Sequence, residues 1–192
     1  MSASLILVAG PNGSGKTTLA LAYQALYGGV FLSADRIAED MRSSGRAVSD
    51  LDAGREFFRR LRSLLGEGTP LIVESTLAGR GILRHIDRAR ALGYDTTILF
   101  LFLESADVCV ARVQARARKG GHSVPDDDIR RRYPRSIKHF WRLHRLAVHR
   151  WHLYYNSGSD FVPVATGSGV DPSVVDDVLY EKFLHVVEGS ET

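Results

Sequence analysis

Cysteine is almost absent from this chain of 192 residues, since Cys109 is its only example. A disulfide framework and a cysteine-based zinc site are therefore excluded, and nothing indicates an oxidising compartment. Long hydrophobic runs are also missing. The apolar run at residues 4–9 is too short to span a membrane and lacks the positive flank of a secretory signal. We therefore expect a cytoplasmic protein that does not contact a membrane.

Asparagine is nearly as scarce, with Asn12 and Asn156 as its two examples. The guanine-reading motif N-K-x-D is therefore missing, which argues against a GTPase switch. The S-G-G-Q signature of transporter ATPases is missing as well. No predicted strand ends in Asp, as the metal-binding strand of many nucleotide hydrolases does, but the third strand ends in Glu74.

The length of the chain fits one domain, or one domain with a small lid. Its 44% hydrophobic and 24% charged residues are ordinary for a globular protein and argue against disorder. The net charge of +3 conceals an asymmetry, because the stretch between Arg112 and Arg150 holds twelve Lys or Arg residues against three Asp. This stretch is either a solvated helix face or a site for phosphate groups.

Short apolar runs alternate with helical patterns along the chain. Strands are predicted at residues 4–9, 30–33, 70–74, 96–103 and 161–165, and Pro163 indicates an edge position for the last of them. Helices are predicted at residues 17–27, 50–65, 80–92 and 105–118, from 126 onward, along a hydrophobic stripe from Ile137 to Tyr155, and at 173–187. The alternation predicts an α/β three-layer sandwich with a five-stranded, mainly parallel sheet.

The strongest motif is the sequence GPNGSGKT at residues 10–17, which follows an apolar strand and precedes a helix. It fits the phosphate-loop pattern G-x-x-x-x-G-K-[ST] at every fixed position. The pattern predicts binding of ATP by backbone N–H groups, with Lys16 on the β- and γ-phosphates and the Thr17 hydroxyl on Mg²⁺. The predicted nucleotide-binding residues are Gly10, Pro11, Asn12, Gly13, Ser14, Gly15, Lys16, Thr17 and Thr18.

Two carboxylates follow predicted strands, where residues of a parallel sheet face the ligand crevice. Asp35 could accept the proton of an attacking hydroxyl, as kinase bases do, or could cap a helix that starts at Arg36. Glu74 could order a Mg²⁺-bound water, hold a substrate hydroxyl or pair with an arginine. Thr76, two residues further on, could donate a hydrogen bond to a substrate.

Arginines are concentrated in residues 112–135, which we expect to form a lid within a single domain over residues 1–192. Arg112 and Arg116 share a helix face, and Arg130, Arg131 and Arg132 follow a glycine-containing loop. Such a helix–loop–helix could close over a triphosphate and neutralise the transferred group. The favoured catalytic arginines are Arg112, Arg116 and Arg131. His122 in the loop is expected to form hydrogen bonds rather than to bind a metal.

Taken together, these motifs resemble the zeta-toxin family of P-loop kinases. The matching stretches are VAGPNGSGKTTL, FLSADRIAED, IVESTLAGRG, ARVQARARKGGHSVPDDDIRRRYPRS and WHLYYNSG, spread over roughly residues 5–157. The chain has Ser33 where family members usually have Asn, and Arg80 instead of an arginine closer behind the E-x-T element. It also has Tyr155 where short members often have Asp.

The resemblance implies an ATP-dependent kinase that phosphorylates a hydroxyl of a small molecule. In better-known members that molecule is the nucleotide sugar UDP-N-acetylglucosamine, and an antitoxin protein is the partner. By position, Lys16 and Thr17 match the phosphate loop, Asp35 the catalytic base, and Glu74 with Thr76 the substrate-binding E-x-T element. We expect the acceptor to contact Asp35, Arg36, Glu74, Thr76 and Arg80, and Asn156 to lie near the adenine.

Two other functions remain open from the sequence. The acceptor could be a different metabolite or a polynucleotide end, with the same chemistry. Alternatively, the chain could be an ATP-gated module that binds nucleic acid through its basic segment. Because Phe140, Trp141 and Trp151 are spaced as a helical core stripe rather than as a base-stacking platform, nucleic acid is the less favoured partner.

Overall fold

A computed structural model describes residues 3–43, 49–156, 158 and 160–189; the remaining residues of the predicted domain, which include Ser157, lie outside the described part. The strands are β1 (Ser4–Ala9), β2 (Val30–Leu32), β3 (Leu71–Ser75), β4 (Asp95–Phe102), β5 (Arg150–Asn156), β6 (Phe161–Ser168) and β7 (Asp171–Val174). The α-helices are α1 (Lys16–Tyr27), α2 (Ala34–Ser43), α3 (Asp50–Gly66), α4 (Leu83–Ala91), α5 (Ala106–Arg118), α6 (Asp126–His139), α7 (Arg145–Ala147) and α8 (Asp177–Gly189). A π-helical segment, Phe140–His144, joins α6 to α7.

The strands form one sheet in the order β2-β3-β1-β4-β5-β6-β7. Neighbouring strands from β2 to β5 are parallel, and β6 and β7 are added as antiparallel strands. The α/β class and the parallel core are confirmed. The predicted count of five strands is wrong, since the described residues form seven.

The strand β5 lies where the sequence predicted a long helix from Ile137 to Tyr155. The helix ends at Ala147, and Val148 is extended. The chain then pairs in parallel with β4, from Thr97 opposite Arg150 onward. In β5 the buried hydrophobic side chains are Trp151 and Leu153, two residues apart, as in a strand. The spacing of the aromatic residues fits both periods over this stretch, and pairing with the open edge of β4 decides between them.

Further differences lie near the C-terminal end of the described residues. The closing helix begins at Asp177 rather than at residue 173, because residues 171–174 form β7 instead. The strand β6 lies between β5 and β7, so the predicted edge position is wrong for the strand as a whole. Pro163 itself precedes the residues that pair with β7, and it lies beside a bulge of β6 at Val164, where the register with β5 shifts. Its missing N–H therefore falls outside the β7 ladder. The helix predicted at 80–92 is shorter, at Leu83–Ala91.

Both faces of the sheet are covered, which gives the predicted three layers. On one face, Leu19 and Ala20 of α1 pack on Val8 and Leu101. The larger core cluster on the other face includes side chains from α3, α4, α5, α6 and α8. No helix of the described residues is both long and apolar enough to cross a membrane. The layers leave the carboxyl ends of the parallel strands β1, β2 and β3 open at one edge, where the predicted site residues lie.

Candidate functional site

The loop between β1 and α1 has the backbone that the phosphate-loop motif predicts. Gly10 has a φ of 142°, and a Cβ there would lie 2.2 Å from the backbone oxygen of Leu101. Gly15, at a φ of 91°, would place a Cβ 2.6 Å from the Asn156 amide nitrogen. Both positions therefore need glycine. The helix that starts at Lys16 directs its N-terminal N–H groups toward the loop, so the chain is built to hold an anion there.

Lys16 is buried in this loop, with 7% of its surface exposed. Its ammonium donates a hydrogen bond to the carbonyl of Pro11 at 3.0 Å. Burial lowers the pKa of Lys16, while the charges of Glu74 and Asp35 oppose that shift. The Lys16 amine is therefore held beside the loop and close to two carboxylates, where it can bind a phosphate oxygen.

Glu74 lies beside the helix start because β3 is the parallel neighbour of β1, with Val8 opposite Glu74. The Thr17 hydroxyl donates to the Glu74 carboxylate, at 3.0 and 3.2 Å from its two oxygens. Within the described part of the chain, the partner of Glu74 is therefore Thr17 rather than an arginine. No group of three His, Cys, Asp or Glu among the described residues could hold a metal ion. The hydroxyl and carboxylate pair fits Mg²⁺, which binds to few protein oxygens and completes its shell with phosphates and water.

Two adjoining cavities open at this edge of the sheet. The first, which we call the loop cavity, has a volume of about 690 Å³ and is lined by the phosphate loop, α2, Arg112, Arg116 and the loop before α6. The second, the helix cavity, has a volume of about 530 Å³ and lies between α2, α3, the end of β3 and the start of α6. The residues that line both cavities are Asn12, Lys16, Ser33, Asp35, Arg42, Glu74 and His122.

Asp35 is part of this shared wall. The helix α2 begins at Ala34, and Ile37 donates to the carbonyl of Ser33 at 3.1 Å. Asp35 therefore lies in the first turn rather than at the cap that one interpretation of the sequence predicted. Its exposed side chain reaches both cavities.

The predicted arginines are placed differently from one another. Arg112 and Arg116 line the loop cavity. Arg112 donates to the backbone oxygen of Asn156 at 3.0 Å, and Arg116 donates twice to the carbonyl of His122, at 2.7 and 3.1 Å. Arg131 instead pairs with Asp128 at 2.5 Å and is not among the residues that line either cavity. The neighbouring residue, Arg132, lines the helix cavity.

The predicted acceptor residues also separate into two groups. Glu74 lines both cavities, whereas Thr76 lines the helix cavity and Arg36 lines the loop cavity. Arg80 is exposed and is not among the residues that line either cavity.

Asn156 supports the phosphate loop from behind. Its amide nitrogen donates to the carbonyl of Ser14 at 2.9 Å, and its amide oxygen accepts from the N–H of Gly158 at 2.8 Å. The side chain is buried and is not among the residues that line either cavity. The structure therefore does not support the expected position of Asn156 beside an adenine, since both ends of its amide are bonded to backbone.

Side chains of α6 hold the segment that follows Glu74, and no sequence motif predicted this role for them. The Ser136 hydroxyl donates to the carbonyl of Thr76 at 2.5 Å. Leu77 has a φ of 52°, which is unusual for a residue other than glycine. Burial lowers the pKa of His139, and the neighbouring backbone of Leu77 and Ala78 opposes that shift. These contacts hold the backbone of Thr76 in position at the wall of the helix cavity.

A family comparison agrees with this geometry. The sequence model of the AAA domain family matches residues 5–133, which carry the phosphate loop, Asp35, Glu74 and the predicted lid arginines. The chain belongs to this AAA domain family. A relative of the AAA domain chain is an uncharacterized protein of Haemophilus influenzae, which is 28% identical over 133 residues. The alignment spans 69% of this chain and 94% of that protein.

Solved structures share the fold of this AAA domain protein at low sequence identity. A structure from the PezAT chromosomal toxin-antitoxin system of Streptococcus pneumoniae superposes with a TM-score of 0.64 at 16% identity, over 99% of this chain and 85% of that one. The AvrRxo1-ORF1:-ORF2 structure with ATP superposes with a TM-score of 0.67 at 18% identity, over 95% of this chain and 63% of that chain. At the level of fold, these likenesses confirm the resemblance predicted from the motifs.

Proposed function

We propose that this protein is an ATP-dependent kinase that transfers the γ-phosphoryl group to a hydroxyl of a small molecule. One observation carries the proposal: Asp35 lies in the wall between the loop cavity and the helix cavity, beside Lys16 and Glu74. A triphosphate bound at the phosphate loop and an alcohol in the helix cavity would meet at this wall. A carboxylate there is placed to act as the general base of the transfer.

Each residue of the site has its own role in the proposed phosphoryl transfer. Backbone N–H groups of the phosphate loop and Lys16 bind the phosphates of ATP. Asp35 accepts the proton of the acceptor hydroxyl, whose oxygen forms a bond to the γ-phosphorus while the bond to the β-γ bridging oxygen breaks. ADP leaves, and the proton passes from Asp35 to solvent. The positive charges of Lys16 and Arg112 are held by hydrogen bonds and stabilise the migrating group without reorganisation. Arg116 adds its charge after its side chain leaves the carbonyl of His122.

Thr17 and Glu74 would hold Mg²⁺ at this site. When bound, this ion neutralises charge on the β- and γ-phosphates. The Thr17–Glu74 hydrogen bond keeps both oxygens at the helix start, so the ligand pair is preorganised. Residues 112–135 act as the lid in this proposal. Within this lid, the Arg116 side chain donates to the carbonyl of His122, and it can exchange that partner for a phosphate oxygen.

The acceptor and the partner follow from resemblance rather than from the cavities. A nucleotide sugar such as UDP-N-acetylglucosamine is the first acceptor to test, and other hydroxyl-bearing metabolites are the alternatives. The fold likeness to a toxin-antitoxin structure supports an antitoxin as a protein partner. Nucleic acid is not favoured, because Phe140 and Trp151 lie fully buried in the core, where they cannot stack on bases.

The decisive experiment uses radiolabelled ATP and a panel of hydroxyl-bearing metabolites. Wild-type protein should transfer label to one class of acceptor. Asp35→Asn should abolish transfer while ATP affinity stays within a few-fold, because the carboxylate acts on the acceptor. Lys16→Ala should lose both ATP binding and transfer.

A matched control is Asp87→Asn on α4, whose exposed side chain lines neither cavity. This variant should behave as wild type. Full activity of Asp35→Asn, or undiminished ATP turnover by purified Lys16→Ala, would contradict the assignment.

A further inference from the structure

One face of α2 runs along the helix cavity. Asp35, Ala38 and Arg42 are spaced as i, i+3 and i+7, so they share that face, and all three line the cavity. Asp35 lies at the inner end, beside the phosphate loop. Arg42 lies two turns further along, roughly 10 Å away along the helix axis. The small side chain of Ala38 leaves the space between them open.

Arg42 lies at the end of this face of α2 and lines the loop cavity as well as the helix cavity. The Arg42 side chain is exposed, and within the described residues no hydrogen bond or ion pair engages it. Asp128, which also lines the helix cavity, pairs with Arg131 at 2.5 Å and with Arg132 at 3.3 Å. An anion entering this end would meet Arg42 as a planar, always charged donor.

Between the two ends, α3 supplies a flat apolar wall. Phe57 and Phe58 line the cavity, together with the small residues Ala53 and Gly54. The two phenyl rings pack edge to face with centroids 5.1 Å apart, and the Phe58 ring stacks on His85 at 4.9 Å. Burial lowers the pKa of His85 to about 4, so this supporting ring is neutral near pH 7. A wall held in this way can pack on the apolar face of a sugar or base ring.

We propose that the acceptor carries an anionic group, a phosphate ester or a carboxylate, which binds to Arg42 while the reacting hydroxyl lies at Asp35. The two residues lie roughly 10 Å apart along α2, a separation that a sugar phosphate, a hydroxy acid or a nucleotide can span. Its ring lies on Phe57 and Phe58. The inference rests on the proposed kinase function, because that function places the hydroxyl at Asp35.

The first test measures transfer to matched acceptor pairs. The pairs are ribose with ribose 5-phosphate, glucose with gluconate, and uridine with UMP, so phosphate esters and carboxylates are separate arms. The anionic member should be preferred at least tenfold in kcat/KM. Arg42→Gln should raise the acceptor KM about tenfold to a hundredfold with kcat within threefold, and should raise it by more than the KM for ATP. Because Arg42 also lines the loop cavity, an equal rise in both KM values would overturn the proposal. Arg42→Lys should recover part of the loss.

The control is Arg88→Gln on α4, the same substitution at an exposed helical arginine that lines neither cavity. It should match wild type. A cooperative thermal unfolding transition close to that of wild type shows that Arg42→Gln is folded.

A second test is independent of turnover. Calorimetry with the phosphate loop filled by AMP-PNP measures binding of the same pairs, including to Asp35→Asn. The anionic members should bind at least tenfold better than their neutral partners, and Arg42→Gln should remove that preference. If binding shows the preference but no acceptor is phosphorylated, the kinase proposal fails and the anion site stands. If no anionic member is preferred, or if Arg42→Gln keeps the preference, the anion site is wrong.

Discussion

Replacing Asn156 by alanine removes a side-chain hydrogen bond that joins β5 to the back of the phosphate loop. The amide nitrogen of Asn156 donates to the carbonyl of Ser14 at 2.9 Å, in surroundings where only 7% of the residue is exposed. Alanine leaves that carbonyl without its donor. Leaving a buried acceptor unpaired costs about 1–3 kcal/mol.

This energy is lost partly as stability and partly as preorganisation of the loop. If the loop relaxes in the free protein, the thermal midpoint stays close to that of wild type and the affinity for ATP falls. The upper limit of that fall is about 5- to 150-fold. If the loop keeps its shape, the loss appears as a thermal midpoint about 2–12 °C lower. Both effects arise from the same 1–3 kcal/mol. A larger loss of ATP affinity should therefore accompany a smaller drop in the thermal midpoint, and the reverse.

The assay compares three ligands: ATP, GTP and inorganic tripolyphosphate. Because Asn156 contacts the loop and not the base, Asn156→Ala should weaken binding of all three by a similar factor. Thr96→Val is the matched control, since it removes a buried hydrogen bond to His149 at the opposite end of the sheet. It should lower stability without changing ligand affinity. Loss of ATP preference over GTP with unchanged tripolyphosphate binding would refute the reasoning.

Two further predictions follow from the site and the core. Glu74→Gln should raise the Mg²⁺ concentration for half-maximal transfer several-fold, because the Thr17 hydroxyl keeps a partner but the site loses a negative charge. An unchanged Mg²⁺ dependence would assign Glu74 to the acceptor alone. Burial lowers the pKa of His144 and of His85 to about 4, against 6.5 in an unfolded chain. The unfolded chain therefore binds these protons first, and stability should be full above pH about 6.5 and should fall as the pH drops toward 4. Thermal unfolding followed from pH 7.5 to 4.5 measures this, and a midpoint independent of pH would contradict it.

The phosphate loop shows what local sequence can predict. Its glycines, Lys16 and Thr17 are adjacent in the chain, and their roles depend on backbone geometry within eight residues. Asp35 and Glu74 could be predicted because residues after parallel strands meet at one edge of a sheet. No sequence motif pointed to Arg42, because its place in the helix cavity depends on where α2 lies relative to α3.

The stripe from Ile137 to Tyr155 shows where local sequence is ambiguous. Its aromatic residues satisfy a helical period up to Ala147 and an alternating period in β5, and no glycine or proline separates the two. The free edge of β4 supplied the hydrogen-bond partners that made the second part a strand. Asn156 ends that strand, and its contact with Ser14 depends on the same pairing.

The sequence by itself determined the α/β class, the anion-binding loop and the carboxylates at its rim, because each is written in neighbouring residues or in strand order. Only the tertiary structure decided the antiparallel strands, the support of the loop by Asn156 and the shape of the cavity beside α2. Those features join residues far apart in the chain, and their energies arise from packing and pairing that no local pattern encodes.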